Sequence, residues 1–76
     1  MAVWHPIKRR ELVRRLRGLG FQGPFRGTRH EFWVSGQQRQ TIPSNPEYST
    51  PQLKMLLRQV EVILGRKISA DEWEKL

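Results

Sequence analysis

The sequence contains no cysteine and only two histidines, His5 and His30, in 76 residues. Without cysteine there is no disulfide framework and no thiolate metal site, and two histidines so far apart in sequence do not indicate structural zinc. The chain also lacks a membrane-spanning apolar run and the pattern of a signal peptide. We therefore expect a soluble, cytoplasmic protein that has no structural zinc site and does not enter a membrane, and no motif in the chain indicates a cofactor.

Acidic residues are scarce as well. Seven Asp and Glu stand against fourteen Lys and Arg, which leaves a net charge of +7. The excess lies in the first half, because residues 1–39 hold nine basic and two acidic residues, whereas residues 40–76 hold five of each. Such a local positive field attracts phosphate backbones, although acidic proteins and anionic membranes would also be attracted. The charge therefore favours nucleic acid and leaves a protein partner open.

The length allows one small domain, since a chain of this size buries only about 60% of the surface that it exposes when unfolded. The segment "IKRRELVRRLRGLGF" predicts a first helix, with apolar residues at helical spacing between Leu12 and Leu19 and with Glu11 placed to pair with Arg15. A second helix should begin near Ser49 or Thr50 and end at Gly65, with its apolar stripe between Leu53 and Leu64. Ser69, followed three residues later by Glu72, predicts a short final helix, whose Trp73 and Leu76 should fasten the tail to the body. We expect a loose segment over residues 1–6 and a single domain over residues 7–76.

Between the two longer helices the periodicity changes. The segments "FQGPF", "HEFWV" and "RQTIP" are separated by turn residues and predict a three-stranded antiparallel meander. Pro43 and Pro46 then end the sheet, because neither can donate a ladder hydrogen bond. The predicted fold class is α+β: a two-layer sandwich of helix, three-stranded antiparallel sheet, helix and short C-terminal helix, with the helices on one face.

The residue best suited to catalysis is His30, which lies between arginines in "RGTRHEFWV". A histidine can take the proton from a ribose 2′-hydroxyl, and Arg26 and Arg29 could stabilise charge that develops on the phosphate. A lone histidine of this kind is more often a surface contact, so both interpretations stay open. Phe32 and Trp33 would likewise either stack on bases or pack in the core.

A second group of basic residues lies on the first helix. Arg10, Arg14 and Arg17 fall at i, i+4 and i+7 and share one face, where they would contact a phosphate backbone or simply remain solvated. The acid that would protonate a leaving 5′-oxygen is not evident. Tyr48, Arg29 and solvent are the candidates.

Several segments together resemble the HicA family of small toxins, the mRNA interferases of HicA–HicB toxin–antitoxin pairs. They are "RRELVRRLRGLGF", "TRHEFW", "RQTIP" and "STPQLKMLLRQ", with a further similarity in "ISADEWEKL". The resemblance covers roughly residues 7–59. In "TRHEFW", Thr28, Arg29, His30 and Trp33 take the positions of the family's Gly-Ser-His motif and the aromatic residue that follows it.

The resemblance implies a fold like that of the double-stranded RNA-binding domain, metal-independent RNA cleavage that depends on His30, and a HicB-like antitoxin that covers the site. RNA would be held by Arg26, Thr28, Arg29 and Arg39, with the arginines of the first helix extending the surface. Two alternatives remain: a module of the same fold that binds RNA without cutting it, and a chain that chiefly binds an acidic antitoxin. No oligomeric state follows from the sequence.

Overall fold

The computed structural model describes residues 3–76 and has the predicted α+β architecture of helix, three-stranded antiparallel sheet, helix and short helix. Two very short strands, which the sequence does not predict, form a second sheet. In chain order the elements are β1 (Ile7–Lys8), α1 (Arg9–Gly18), β2 (Gln22–Arg26), β3 (Glu31–Ser35), β4 (Gln38–Ile42), β5 (Glu47–Tyr48), α2 (Thr50–Leu64) and α3 (Ala70–Glu74).

The first helix begins two residues later than the sequence predicts, because Ile7 and Lys8 belong to a strand. They pair antiparallel with Tyr48 and Glu47, and α1 starts directly afterwards at Arg9. A two-residue strand is too short to show an alternating pattern, so the sequence gives no sign of this pairing. The small β1–β5 sheet fastens the chain before α1 to the connection between β4 and α2.

The three-stranded sheet has β3 at its centre, with β2 and β4 antiparallel on either side. Phe32 lies opposite both Phe25 and Thr41, and Trp33 lies opposite Gln40. Since successive side chains of a strand point to opposite faces, Trp33 enters the core while Phe32 stands on the other side. Trp33 is fully buried, so its role is packing rather than base stacking.

The second helix follows the predicted boundaries closely. Ser49 caps its N-terminus by accepting a hydrogen bond from the Gln52 backbone N–H, and the Gln52 side chain accepts from the Ser49 backbone N–H in return. Gly65 ends the helix at φ 74°, in the left-handed region that glycine adopts without strain. The apolar stripe faces the core, with Leu53 and Val60 among its buried members.

The C-terminal segment packs on the body of the protein, as the sequence predicts. The Ser69 hydroxyl oxygen caps α3 by accepting a hydrogen bond from the Glu72 backbone N–H at 3.1 Å. Trp73 is buried, and the Arg15 guanidinium lies 5.4 Å from its ring centroid while Nη1 of Arg15 donates to the Trp73 carbonyl at 2.9 Å. Arg15 therefore joins α1 to α3.

The predicted loose segment is described only in part, since residues 1–2 lie outside the described range. Within it, Trp4 is half-buried and packs against the core. The mobility of the segment stays a prediction. Across residues 3–76, no helix has both the length and the apolar character needed to span a bilayer.

The core makes a direct prediction about stability. Leu12 on α1 is 1% exposed, so Leu12→Ala should lower the free energy of unfolding by about 2 to 5 kcal/mol through lost apolar contact and a residual cavity. Val62 on α2 is 81% exposed and provides the control, because Val62→Ala should change stability by less than about 0.5 kcal/mol. Urea unfolding followed by circular dichroism measures both, and equal losses would contradict the described core.

Candidate nucleic-acid interface

A tight loop of four residues, Gly27 to His30, joins β2 to β3 and presents the histidine. The Gly27 backbone N–H donates a hydrogen bond to the His30 carbonyl at 3.0 Å. A Cβ atom at position 27 would stand only 2.6 Å from that carbonyl oxygen, so this close approach requires glycine. Thr28, Arg29 and His30 are all exposed, and the loop brings them together with Arg26 at the end of β2.

His30 lies at the edge of a shallow pocket of about 330 Å³ between the end of β4 and α2. The other lining residues are Thr41, Pro43, Met55, Leu56 and Gln59. Gln59 is held in place, because its side-chain oxygen accepts a hydrogen bond from Nε2 of the buried Gln40 at 2.6 Å. The sequence does not bring α2 to His30, since these residues lie more than twenty positions further along the chain.

Behind the pocket, four residues form a hydrogen-bonded group that we call the Arg9 cluster: Arg9, Glu31, Pro43 and Tyr48. Nη1 of Arg9 donates to the Tyr48 hydroxyl at 2.8 Å and to the Pro43 carbonyl at 3.2 Å. Nη2 of Arg9 donates to the Glu31 carboxylate, and the Tyr48 hydroxyl donates to the Pro43 carbonyl. Glu31 follows His30 directly and Pro43 lines the pocket, so the cluster adjoins both the histidine loop and one wall of the pocket.

Arg9 is not among the site residues predicted from the sequence, although its position in the sequence carries a signal. Arg9 stands three residues before Leu12 and seven before Leu16, which puts it on the same face of α1 as these two buried side chains. An arginine on a buried face needs partners for its charge. Glu31 and Tyr48, which are far away in sequence, supply them.

Tyr48 belongs to this cluster and not to the exposed loop. Its side chain is 0% exposed, and its hydroxyl proton is directed at the Pro43 carbonyl. A phenol in this position is held as a structural hydrogen-bond donor. Of the sequence-derived candidates for the general acid, Arg29 and solvent remain beside His30.

The arginines on α1 are partly occupied by contacts within the protein. Nη2 of Arg14 bonds the Glu11 carboxylate at 2.7 Å, and Nη1 of Arg14 donates to the Leu76 carbonyl at 2.8 Å. The hydrogen bond from the Arg14 guanidinium holds the pKa of Glu11 below its usual range, and the same bond raises the pKa of Arg14. The expected pairing of Glu11 with Arg15 is longer, at 3.8 Å.

Arg17 is also engaged. Its Nη2 donates to the Gly23 carbonyl on β2 at 3.1 Å, and its Cζ lies 5.9 Å from the centroid of the Trp33 ring. Arg10 is exposed. The predicted face on α1 therefore contains two arginines that help to hold the fold and a third that projects into solvent.

Positive charge near His30 is not neutralised locally. Within residues 3–76, Arg26, Arg29 and Arg39 form no ion pair with a carboxylate. Glu31, the acidic residue next to His30, is paired with Arg9. In the same range, no group of three His, Cys, Asp or Glu side chains is placed to bind a metal ion. Arg26 and Arg29 thus lie within four residues of the histidine, whereas Arg39 lies on β4 opposite Val34, towards the other end of the sheet.

Comparison of the chain with protein-family models, with curated proteins and with solved structures found no match. The resemblance to HicA toxins thus depends on the quoted segments and on their order along the chain.

The Arg9 cluster leads to a stability prediction. Tyr48→Phe removes the hydroxyl that accepts from Arg9 and donates to Pro43, and hydrogen bonds to charged groups contribute about 1.5 to 3 kcal/mol. We expect the free energy of unfolding to fall by about that amount, as measured by urea denaturation. A Tyr48→Phe protein as stable as wild type would show that the cluster does not support the fold.

Proposed function

We propose that this chain is a HicA-like toxin, a metal-independent endoribonuclease that cleaves mRNA in the cytoplasm and is neutralised by a HicB-like antitoxin. The observation that carries the proposal is the exposed His30, which a tight glycine loop presents at the rim of a pocket, close in the chain to Arg26 and Arg29, neither of which pairs with a carboxylate within residues 3–76. That arrangement supplies a base and a phosphate-binding surface within one short segment.

In the proposed reaction, the His30 imidazole takes the proton from a ribose 2′-hydroxyl, and the 2′-oxygen attacks the adjacent phosphorus. The bond from phosphorus to the 5′-oxygen breaks, leaving a 2′,3′-cyclic phosphate on one product and a 5′-hydroxyl on the other. The leaving oxygen takes a proton from solvent, which reaches this exposed loop. The planar guanidinium of Arg29 matches the geometry of a phosphate, so Arg29 is better suited to bind the phosphate than to act as the acid.

The other residues of the loop hold the RNA. Arg26 and Arg29 bind the phosphate by charge-assisted hydrogen bonds, and the Thr28 hydroxyl adds a neutral one. Arg39 contributes from the neighbouring strand β4. Arg10 extends the basic surface along α1, where Arg14 and Arg17 contribute charge while they also hold the C-terminus and β2.

A second candidate function is a module of the same fold that binds RNA and does not cut it. It is favoured by the motif itself, in which Thr28 and Arg29 stand where the resemblance expects glycine and serine. A third is a protein whose basic face chiefly serves to bind an acidic antitoxin. Cleavage assays and RNA retention at different salt concentrations separate these functions.

The proposal predicts that cleavage depends on His30 and not on the other histidine. General-base catalysis contributes about 10² to 10⁴ in rate, so His30→Ala should slow RNA cleavage at least a hundredfold in the presence of EDTA. His5→Ala is the matched control, because His5 lies on the N-terminal segment near Glu74. This variant should cleave RNA at the wild-type rate. Gel assays on RNA, with end-group analysis for the cyclic phosphate, measure both.

Two outcomes would change the assignment. Equal cleavage by wild type and His30→Ala would remove His30 from the reaction. Intact RNA with folded wild-type protein, retained at low salt and released at high salt, would favour the non-cleaving module.

A further inference from the structure

The sheet face that points away from the core carries two phenylalanines and an arginine, which we call the aromatic platform: Phe25, Phe32 and Arg39. The two rings are cross-strand neighbours on β2 and β3, with centroids 5.7 Å apart and planes inclined by 32°. The Arg39 guanidinium carbon lies 4.6 Å from the centroid of Phe32. Three π-faced groups therefore lie side by side on one surface.

The side chains of the aromatic platform are not part of the hydrophobic core. Phe25 is 44% exposed, and neither Phe25 nor Phe32 belongs to the apolar cluster that packs beneath the sheet. Arg39 is exposed and, within residues 3–76, has no carboxylate partner. Exposed aromatic side chains grouped with a free cation are typical of surfaces that bind a ligand with a π face and negative charge.

The platform is continuous with the His30 loop. Phe25 is followed by Arg26, which leads into the loop, and Thr41, the cross-strand neighbour of Phe32, lines the His30 pocket. A chain of nucleotides lying on Phe25 and Phe32 would therefore bring its phosphates towards the loop that carries Arg29 and His30.

We propose that the aromatic platform binds unpaired bases of single-stranded RNA by stacking, with Arg39 and Phe32 forming one shared stacking surface. Bases in single strands can be splayed onto aromatic and guanidinium planes, whereas those of a duplex are already stacked on each other. The assignment deepens the proposed function and rests on it, because it makes single-stranded RNA the form that reaches His30.

The positive charge of this surface favours single-stranded RNA, and not a second copy of the chain, as the ligand of the platform. The platform contains Arg39 and adjoins the loop that carries Arg29, so a symmetric contact between two such faces would bring like charges together. A polyanion with planar bases satisfies both the rings and the guanidinium groups.

The test measures binding without cleavage. The probe is a single-stranded oligonucleotide of 2′-O-methyl RNA that contains 2-aminopurine; it lacks the free 2′-hydroxyl, so His30 cannot promote attack on it. Stacking of a base is worth a factor of about five or more in affinity, so Phe25→Ala and Arg39→Gln should each raise Kd at least fivefold. Both should also weaken the quenching of 2-aminopurine, which reports stacking and not charge alone.

Two control variants remove an apolar side chain and an arginine from α2, outside the aromatic platform. Val62→Ala removes a more exposed apolar side chain on α2, and Arg58→Gln removes an exposed arginine from the same helix. Neither should alter quenching, and Arg58→Gln should affect Kd less than Arg39→Gln does. A duplex of the same composition should bind wild type and Phe25→Ala alike, with circular dichroism confirming that every variant is folded.

The outcomes separate the platform from the nuclease. Unchanged Kd and quenching in Phe25→Ala and Arg39→Gln would overturn the platform, and RNA cleavage by the same proteins would leave the proposed nuclease intact. Binding that depends on Phe25, by a wild type that cuts no RNA, would support the platform and contradict the nuclease. Loss of self-association or of a protein partner in Phe25→Ala, with unchanged oligonucleotide binding, would also overturn it.

Discussion

The guanidinium of Arg9 joins four parts of the chain that are far apart in sequence: the start of α1, the start of β3, the end of β4 and the β5 strand. A half-buried charge is tolerated only when its partners replace the water that it has lost. Glu31 supplies the opposite charge, and Tyr48 and Pro43 supply neutral acceptors. The positions of these three partners are in turn fixed by the one cation that they share.

The Arg9 cluster also affects the candidate site, because two of its members are neighbours of that site. His30 precedes Glu31, and Pro43 lines the pocket next to the histidine. The hydrogen bond from Gly27 closes the loop on its other side. The loop, the pocket and the two phenylalanines of the aromatic platform thus lie towards one end of the sheet, where the proposed contacts to phosphates and to bases would occur together.

Local patterns in the sequence were enough to predict the two longer helices, the short final helix and the three-stranded sheet. Apolar spacing indicated α1 and α2, Gly65 and Ser69 marked helix ends, and turn residues separated the three strands. The His30 loop could also be predicted, because its residues are contiguous. The pairing of β1 with β5 and the hydrogen bonds from Arg9 could not, since they join residues 22 to 41 positions apart and leave no local period.

The chemistry of single side chains was hardest to predict. Arg14 and Arg17 have the spacing of a solvent-exposed face, yet each also holds a backbone carbonyl of the protein. Trp33 and Phe32 are neighbours in sequence but lie on opposite faces of the sheet, so one is core and the other belongs to the platform. RNA cleavage by His30 stays a prediction that rests on the loop and its charge.

The most direct test of this account is a double-mutant cycle between Arg9 and Glu31, measured by urea unfolding of wild type, Arg9→Met, Glu31→Gln and the double variant. Because the pair is half-buried and shares the cluster, we expect a coupling free energy of about 1 kcal/mol or more. A parallel cycle with Arg10→Met, at the exposed neighbouring position, should be additive. Effects of Arg9 and Glu31 that add within about 0.3 kcal/mol would contradict the central role of the cluster.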